Sequence, residues 1–201
     1  MTNRRQFIHS SFALTVAGSS VFSIVGAQSA TPPMRFTHFV FDKHFPAATA
    51  VARDVARTGT GLAETDGDMT ALWYDELDLA WRKSPMPLAG VTTHQALFVL
   101  ETLAADHRMR VIYRGAHAVS DDGAVSHRFS GPAHLIERIR AESATTPWVS
   151  LVASAMNHCP VGDSQANTLT MMTPTEAASS FRTEPLVSWI IAPRSVAALI
   201  S

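Results

Sequence analysis

Cysteine is the scarcest chemistry-bearing residue in this 201-residue chain, which holds only Cys159. One thiol cannot close a disulfide within the chain, so the core holds without covalent staples. It also excludes every Cys-x-x-Cys chemistry: iron–sulfur cluster, c-type haem attachment, zinc ribbon and thioredoxin-like pair. No Gly-x-Gly-x-x-Gly follows the first strand-like run, where "DKHFP" (42–46) stands instead. A nucleotide held by a glycine-rich turn is therefore not expected. There is no His-Glu-x-x-His and no histidine pair at helical i,i+4 spacing. Basic residues are not in excess, 16 against 17 acidic. That balance argues against nucleic acid, which calls for a basic face. The expectation is a chain with no cofactor and no metal.

The N-terminus is more informative. Arg4 and Arg5 precede Gln6, Phe7, Ile8 and His9, and Ser10–Val25 contains no charged residue. "VGAQSA" (25–30) then offers the small residues of a processing site. A charged start, an apolar middle and a small-residue end make a secretory signal peptide. The order Arg4-Arg5-Gln6-Phe7-Ile8 resembles a twin-arginine translocation signal over residues 1–30. His9 stands where such signals usually carry a basic residue. The resemblance implies export in the folded state to the periplasm, by the twin-arginine machinery, with the signal removed. The alternative is a signal that stays uncleaved as a weak anchor. The stretch 10–29 holds six serines, a threonine, two glycines and a glutamine, too polar for a good span of about twenty apolar residues. No later run in the mature chain is long enough to span.

The organisation read from this is a signal at 1–27, a linker at 28–34 and one domain at 35–201. Without Arg4 and Arg5 the 16 basic residues become 14 against 17 acidic, a net charge of −3 with histidines neutral. "RFTHFVF" (35–41), "LAET" (62–65), "PLAGV" (87–91) and "MRVIY" (109–113) read as strands. Helical patterns alternate with them: 47–58, then "ALWYDELDLAW" capped by Asp68 or Thr70, then "HQALFVLETLAADH" (94–107). Thr92 with Gln95 three residues later matches a capping box for the last of these. Strand–helix alternation argues for βαβ units and a parallel sheet. Residues 131–143 and 147–158 read as further helices, "TPTEAASSF" from Thr173 as another, and "EPLVSWIIAP" (184–193) as a late strand. The expected fold is an α/β three-layer sandwich with a mostly parallel sheet and this C-terminal strand at an edge.

Several familiar chemistries fail on their own terms. "VGDSQ" (161–165) resembles the Gly-Asp-Ser block of the SGNH hydrolases, but no histidine follows His158, so Ser164 lacks the downstream base. "DGDMTALWYDEL" (66–77) puts Ala71 and Leu77 where an EF-hand loop needs Gly and Glu. "FDKHF" has His44 where a haloacid-dehalogenase-type phosphatase needs its second aspartate. A metal site on His117, His127 and His134 has no supporting spacing. Cys159 beside His158 reads as a buried structural thiol ending a helix, since sequence neighbours rarely give nucleophile–base geometry.

What remains is topological. In open α/β sheets ligands sit outside the carboxyl ends of the strands. The residues just past the strands are Asp42, Lys43 and His44; Asp66 and Asp68; Thr92, Thr93 and His94; and Arg114 and His117. Asp42, His44, Asp68, Thr92, Thr93, Arg114 and His117 are expected to form a crevice for a ligand or a partner, with a small anion at the Thr92–Thr93 helix end as one occupant. No nucleophile is visible there, and the sequence leaves open whether the chain is an enzyme. The twin-arginine signal and the missing cofactor motifs favour a cofactor-free accessory subunit of an exported redox enzyme. The alternative is a small periplasmic hydrolase using the strand-end residues.

Overall fold

A computed structural model describes residues 33–120, 124–159, 165–173 and 184–194, all within the compact unit Thr31–Ser201. The signal at 1–27, Ser164 and the helix expected after Thr173 lie outside the described residues.

The first half alternates as its sequence pattern predicts. Strand β1 (His38–Asp42) leads to α1 (Pro46–Ala56), which Pro46 opens at its first turn. Proline is tolerated there because its missing N–H would have no intrahelical partner. Strand β2 (Gly61–Thr65) follows a tight turn at Gly59, where φ is +85°. Next comes one continuous helical stretch: α2 (Thr70–Leu72), a π-helical turn (Trp73–Leu77) and α3 (Asp78–Lys83). Trp73, Leu77 and Trp81 share its buried side, while Leu79 is exposed. Strand β3 (Leu88–Thr93) feeds α4 (His94–Asp106). The long β4 (Met109–Val119) ends this half.

The second half is a hairpin sheet rather than more βαβ units. β5 (Val125–Pro132) pairs antiparallel with β4. Helices α5 (Ala133–Glu142) and α6 (Trp148–Asn157) follow, close to the expected ranges. β6 (Ala166–Thr173) pairs antiparallel with β5, and β7 (Leu186–Pro193) closes the described chain.

The seven strands of the described residues form one sheet in the order β2-β1-β3-β7-β4-β5-β6. β1 runs parallel to β2 and to β3, whereas β7 is antiparallel to both β3 and β4. The sheet is thus mixed, not mostly parallel. β7 lies at its centre, not at an edge. The reason is visible in β7 itself, where every residue from Leu186 to Ala192 is buried. Such a strand has no polar side to give to solvent, so it needs cover on both faces. Its side chains alternate between two core clusters. Leu186, Ile190 and Ala192 join one with residues of α1, α5 and α6. Val187, Trp189 and Ile191 join the other with residues of the π-helical turn, α3 and α4.

This order places a switch point between β1 and β3. The chain leaves β1 through α1, which packs into the first cluster, and leaves β3 through α4, which packs into the second. Connections that depart to opposite sides open a crevice at the carboxyl ends of the two strands.

Candidate functional site

A cleft of about 470 Å³ lies at this switch point, lined by Asp42, His44, Phe45, Asp66, Gly67, Thr93, Gln95 and Glu184. Its size falls in the range of small-molecule sites, roughly 300–1,000 Å³. Each wall follows from the topology. Asp42 ends β1, Asp66 and Gly67 follow β2, and Thr93 and Gln95 join β3 to α4. Glu184 precedes β7, whose antiparallel course brings its start beside Thr93 at the end of β3.

Asp42 and His44 make the chemical centre. Asp42 is only 2% exposed, yet it sits on the cleft wall. Its Oδ1 accepts the His44 backbone N–H at 3.0 Å and lies 3.2 Å from the imidazole Nδ1. The His44 side chain is 48% exposed, and its Nε2 makes no hydrogen bond among the described residues. A buried carboxylate beside Nδ1 favours the tautomer protonated there. Nε2 is then the nitrogen left with an acceptor lone pair.

The remaining walls are set by local backbone chemistry. The turn after β2 is tied by Thr65, whose Oγ1 donates to the Asp68 carbonyl at 2.8 Å and accepts from the Gly67 N–H at 3.1 Å. Gly67 has φ +100°, a conformation that glycine adopts without penalty. Thr93 caps α4, its Oγ1 accepting from the Ala96 N–H at 3.4 Å. The first N–H groups of α4, which have no intrahelical partners, meet the cleft there.

The structure gathers part of the expected crevice. Asp42, His44 and Thr93 come together as anticipated, with Asp66. Asp68 stands beside the cleft without lining it. Its Oδ1 accepts the Thr70 N–H at 2.8 Å, and that bonding with Thr70 holds its carboxyl below the usual range. Thr92 is not the helix cap. It is fully buried and accepts the Trp189 indole N–H at 3.0 Å, leaving the capping position to Thr93. Arg114 is drawn away to α4, where its Nη2 donates to Glu101 at 2.6 Å. His117 is fully buried against His127, whose ring nitrogen is 2.8 Å away. His134 is exposed on α5, and no set of three metal-ligating side chains occurs among the described residues.

Four cleft residues lie outside the expected set: Phe45, Gly67, Gln95 and Glu184. The sequence pattern reads Gln95 as part of a capping box and Glu184 as the lead of an edge strand. The signal for Glu184 is the run of β7, apolar but for Ser188, which marks a central strand whose start must meet the ends of its neighbours.

No family model matches the chain, and neither a curated protein nor a solved structure matches it.

Proposed function

We propose that this protein is a small exported hydrolase, built on a three-layer α/β frame and carried to the periplasm by a twin-arginine signal at residues 1–27. The observation that carries the reading is the buried Asp42 carboxylate 3.2 Å from the exposed His44 imidazole inside a cleft at a strand switch point. Nε2 of His44 takes a proton from a water molecule as that water attacks an acyl carbonyl, and returns it to the departing alcohol or amine as the acyl–oxygen or acyl–nitrogen bond breaks. Asp42 stabilises the imidazolium so formed, and the amide groups opening α4 face the oxygen on which charge develops. No cofactor takes part.

The test is turnover of a panel of small esters and amides by the mature chain. General-base catalysis contributes about 10²–10⁴-fold. His44→Ala should therefore lower kcat/KM by at least about 100-fold without loss of fold. Full activity in that variant removes the mechanism.

The second reading is a cofactor-free accessory subunit of an exported redox enzyme. It is favoured by the apolar side chains that α4 presents outward, Phe98 (63% exposed) and Val99. If the panel yields no turnover while the chain co-purifies from the periplasm with one redox enzyme through a surface lost in Phe98→Ser, the subunit reading replaces the hydrolase.

A further inference from the structure

We infer that the outer edge of β6 is an interface on which a second copy of this chain pairs, edge to edge and antiparallel, extending the sheet across a two-fold axis. β6 stands last in the strand order, so among the described residues no strand pairs with its far side. Its inner side is a full ladder. Every residue from Ala166 to Thr173 pairs with β5, without a register shift. The strand is therefore regular, and its outer row of N–H and C=O groups can bond an incoming strand.

The two edges of the sheet differ. An edge strand is ordinarily blunted by shortness, charge, proline or a bulge. β2, at the other edge, is five residues long and carries the exposed Glu64, which lies 3.6 Å from Lys43. β6 is eight residues long, "ANTLTMMT", with no charge and no proline. Most of its residues are exposed, Met172 to 54%. One edge is guarded and the other is not.

The same composition selects the partner. Like charges directly opposite each other destabilise a strand pair. β6 against its own copy sets none together, because the strand carries none, and the whole chain has a net charge of only −1 with histidines neutral. Strand alternation puts Ala166, Thr168, Thr170 and Met172 on one face. Leu169 and Met171, on the other, join the core cluster that holds Leu135 and Ile136 of α5. A two-fold axis normal to the sheet keeps each face on its own side, so threonine and methionine meet threonine and methionine. The one charged residue of β5 is Arg128, opposite Thr170. Its copy would lie three strand spacings away, about 14 Å, beyond the Debye length at physiological salt. A charged partner segment finds no counter-charge on β6, whereas an identical strand needs none.

The test is sedimentation of the purified protein over a series of concentrations. The wild type should pass from monomer to dimer as the concentration rises. Thr170 sits mid-strand, so its two copies come close to each other in any register centred on the strand. Thr170→Lys and Thr170→Glu should each weaken the dimer at least about fivefold. An equimolar mixture of the two variants should restore it, since lysine then faces glutamate across the axis. Arg128 lies opposite Thr170, so the glutamate gains a partner within its own sheet and the variant keeps its fold, which circular dichroism checks. A wild type that stays monomeric at every concentration overturns the inference. So does a dimer that both variants leave intact, because its contact then lies elsewhere. A mixture that fails to restore the dimer overturns it as well.

Discussion

His117 and His127 face each other across β4 and β5 with their Nδ1 atoms 2.8 Å apart, both rings fully buried. The sheet register sets them directly opposite. Each outer nitrogen has a hydroxyl partner: Nε2 of His117 lies 2.9 Å from Ser188 Oγ, and Nε2 of His127 lies 2.9 Å from Thr173 Oγ1. The Trp148 ring lies 5.2 Å from both imidazoles. One ring donates from Nδ1 and the other accepts, and burial favours the neutral form of both. A further proton on the accepting ring would set two N–H groups against each other.

Burial pushes the His127 imidazole down to about 4 and holds His117 well below the usual histidine range, with His127 as a lesser cause for the latter. These groups bind protons more readily in the unfolded chain, near 6.5. Their contribution to stability is therefore complete above pH 6.5 and is lost as the pH falls toward 4. For His127 alone the loss is about 2 kcal/mol at pH 5. Urea unfolding at pH 7.5 and pH 5 checks this. The wild type should lose stability over that interval, and His127→Gln should lose distinctly less. A flat pH dependence in the wild type would contradict the buried neutral pair.

The second prediction concerns Arg114. Its guanidinium is committed to Glu101 on α4, with both side chains roughly two-fifths exposed. Exposed ion pairs contribute about 0–1 kcal/mol. Arg114→Ala should shift the unfolding midpoint only slightly and leave turnover at the cleft unchanged. A large loss of turnover would mean that Arg114 reaches the cleft.

The two adjacent threonines separate cleanly. Thr93 caps α4 at the cleft, so Thr93→Ala should cost about 1 kcal/mol. Thr92 instead accepts the buried Trp189 indole N–H. Thr92→Val keeps the shape but strands that donor, at about 1–3 kcal/mol. Thermal unfolding of the two variants ranks them, and Trp189 emission should respond to Thr92→Val alone.

How far these features can be read without coordinates depends on whether the signal is local. The strands at 35–41, 62–65, 87–91 and 109–113 and the helices between them carry their own periodicity and caps, and the structure places elements there. From these the end of β1 could be named, and with it Asp42 and His44. β5 and β6 are not legible because "VSHRFSGP" and "ANTLTMMT" are rich in polar residues, and their strand character comes from pairing with β4 and with each other. The His117–His127 contact depends on that pairing and has no counterpart in linear spacing. β7 was found but misplaced. A strand buried from Leu186 to Ala192 belongs in the middle of a sheet, and that position brings Glu184 to the cleft.

The last prediction tests the crossing of the sheet centre at Gly90. A Cβ built there would lie 2.5 Å from the Val40 carbonyl oxygen and 2.6 Å from the Trp189 ring. Val40 belongs to β1, and Gly90 is paired with both Val40 and Trp189. The indole thus lies over the glycine, and its N–H then reaches Thr92 two residues further along β3. Neither neighbour can yield cheaply, because one is backbone and the other a fully buried ring. Overpacking a core in this way costs typically about 1–3 kcal/mol. Gly90→Ala should fall at or above the top of that range, since it displaces β1 or unseats Trp189. The double variant Gly90→Ala with Trp189→Phe opens space at the same point and should recover part of the loss, although Trp189→Phe alone is destabilising. Unfolding measurements on the four proteins give the coupling directly. Additive losses would show that Trp189 does not lie against Gly90, and the central position of β7 beside β3 would lose its support.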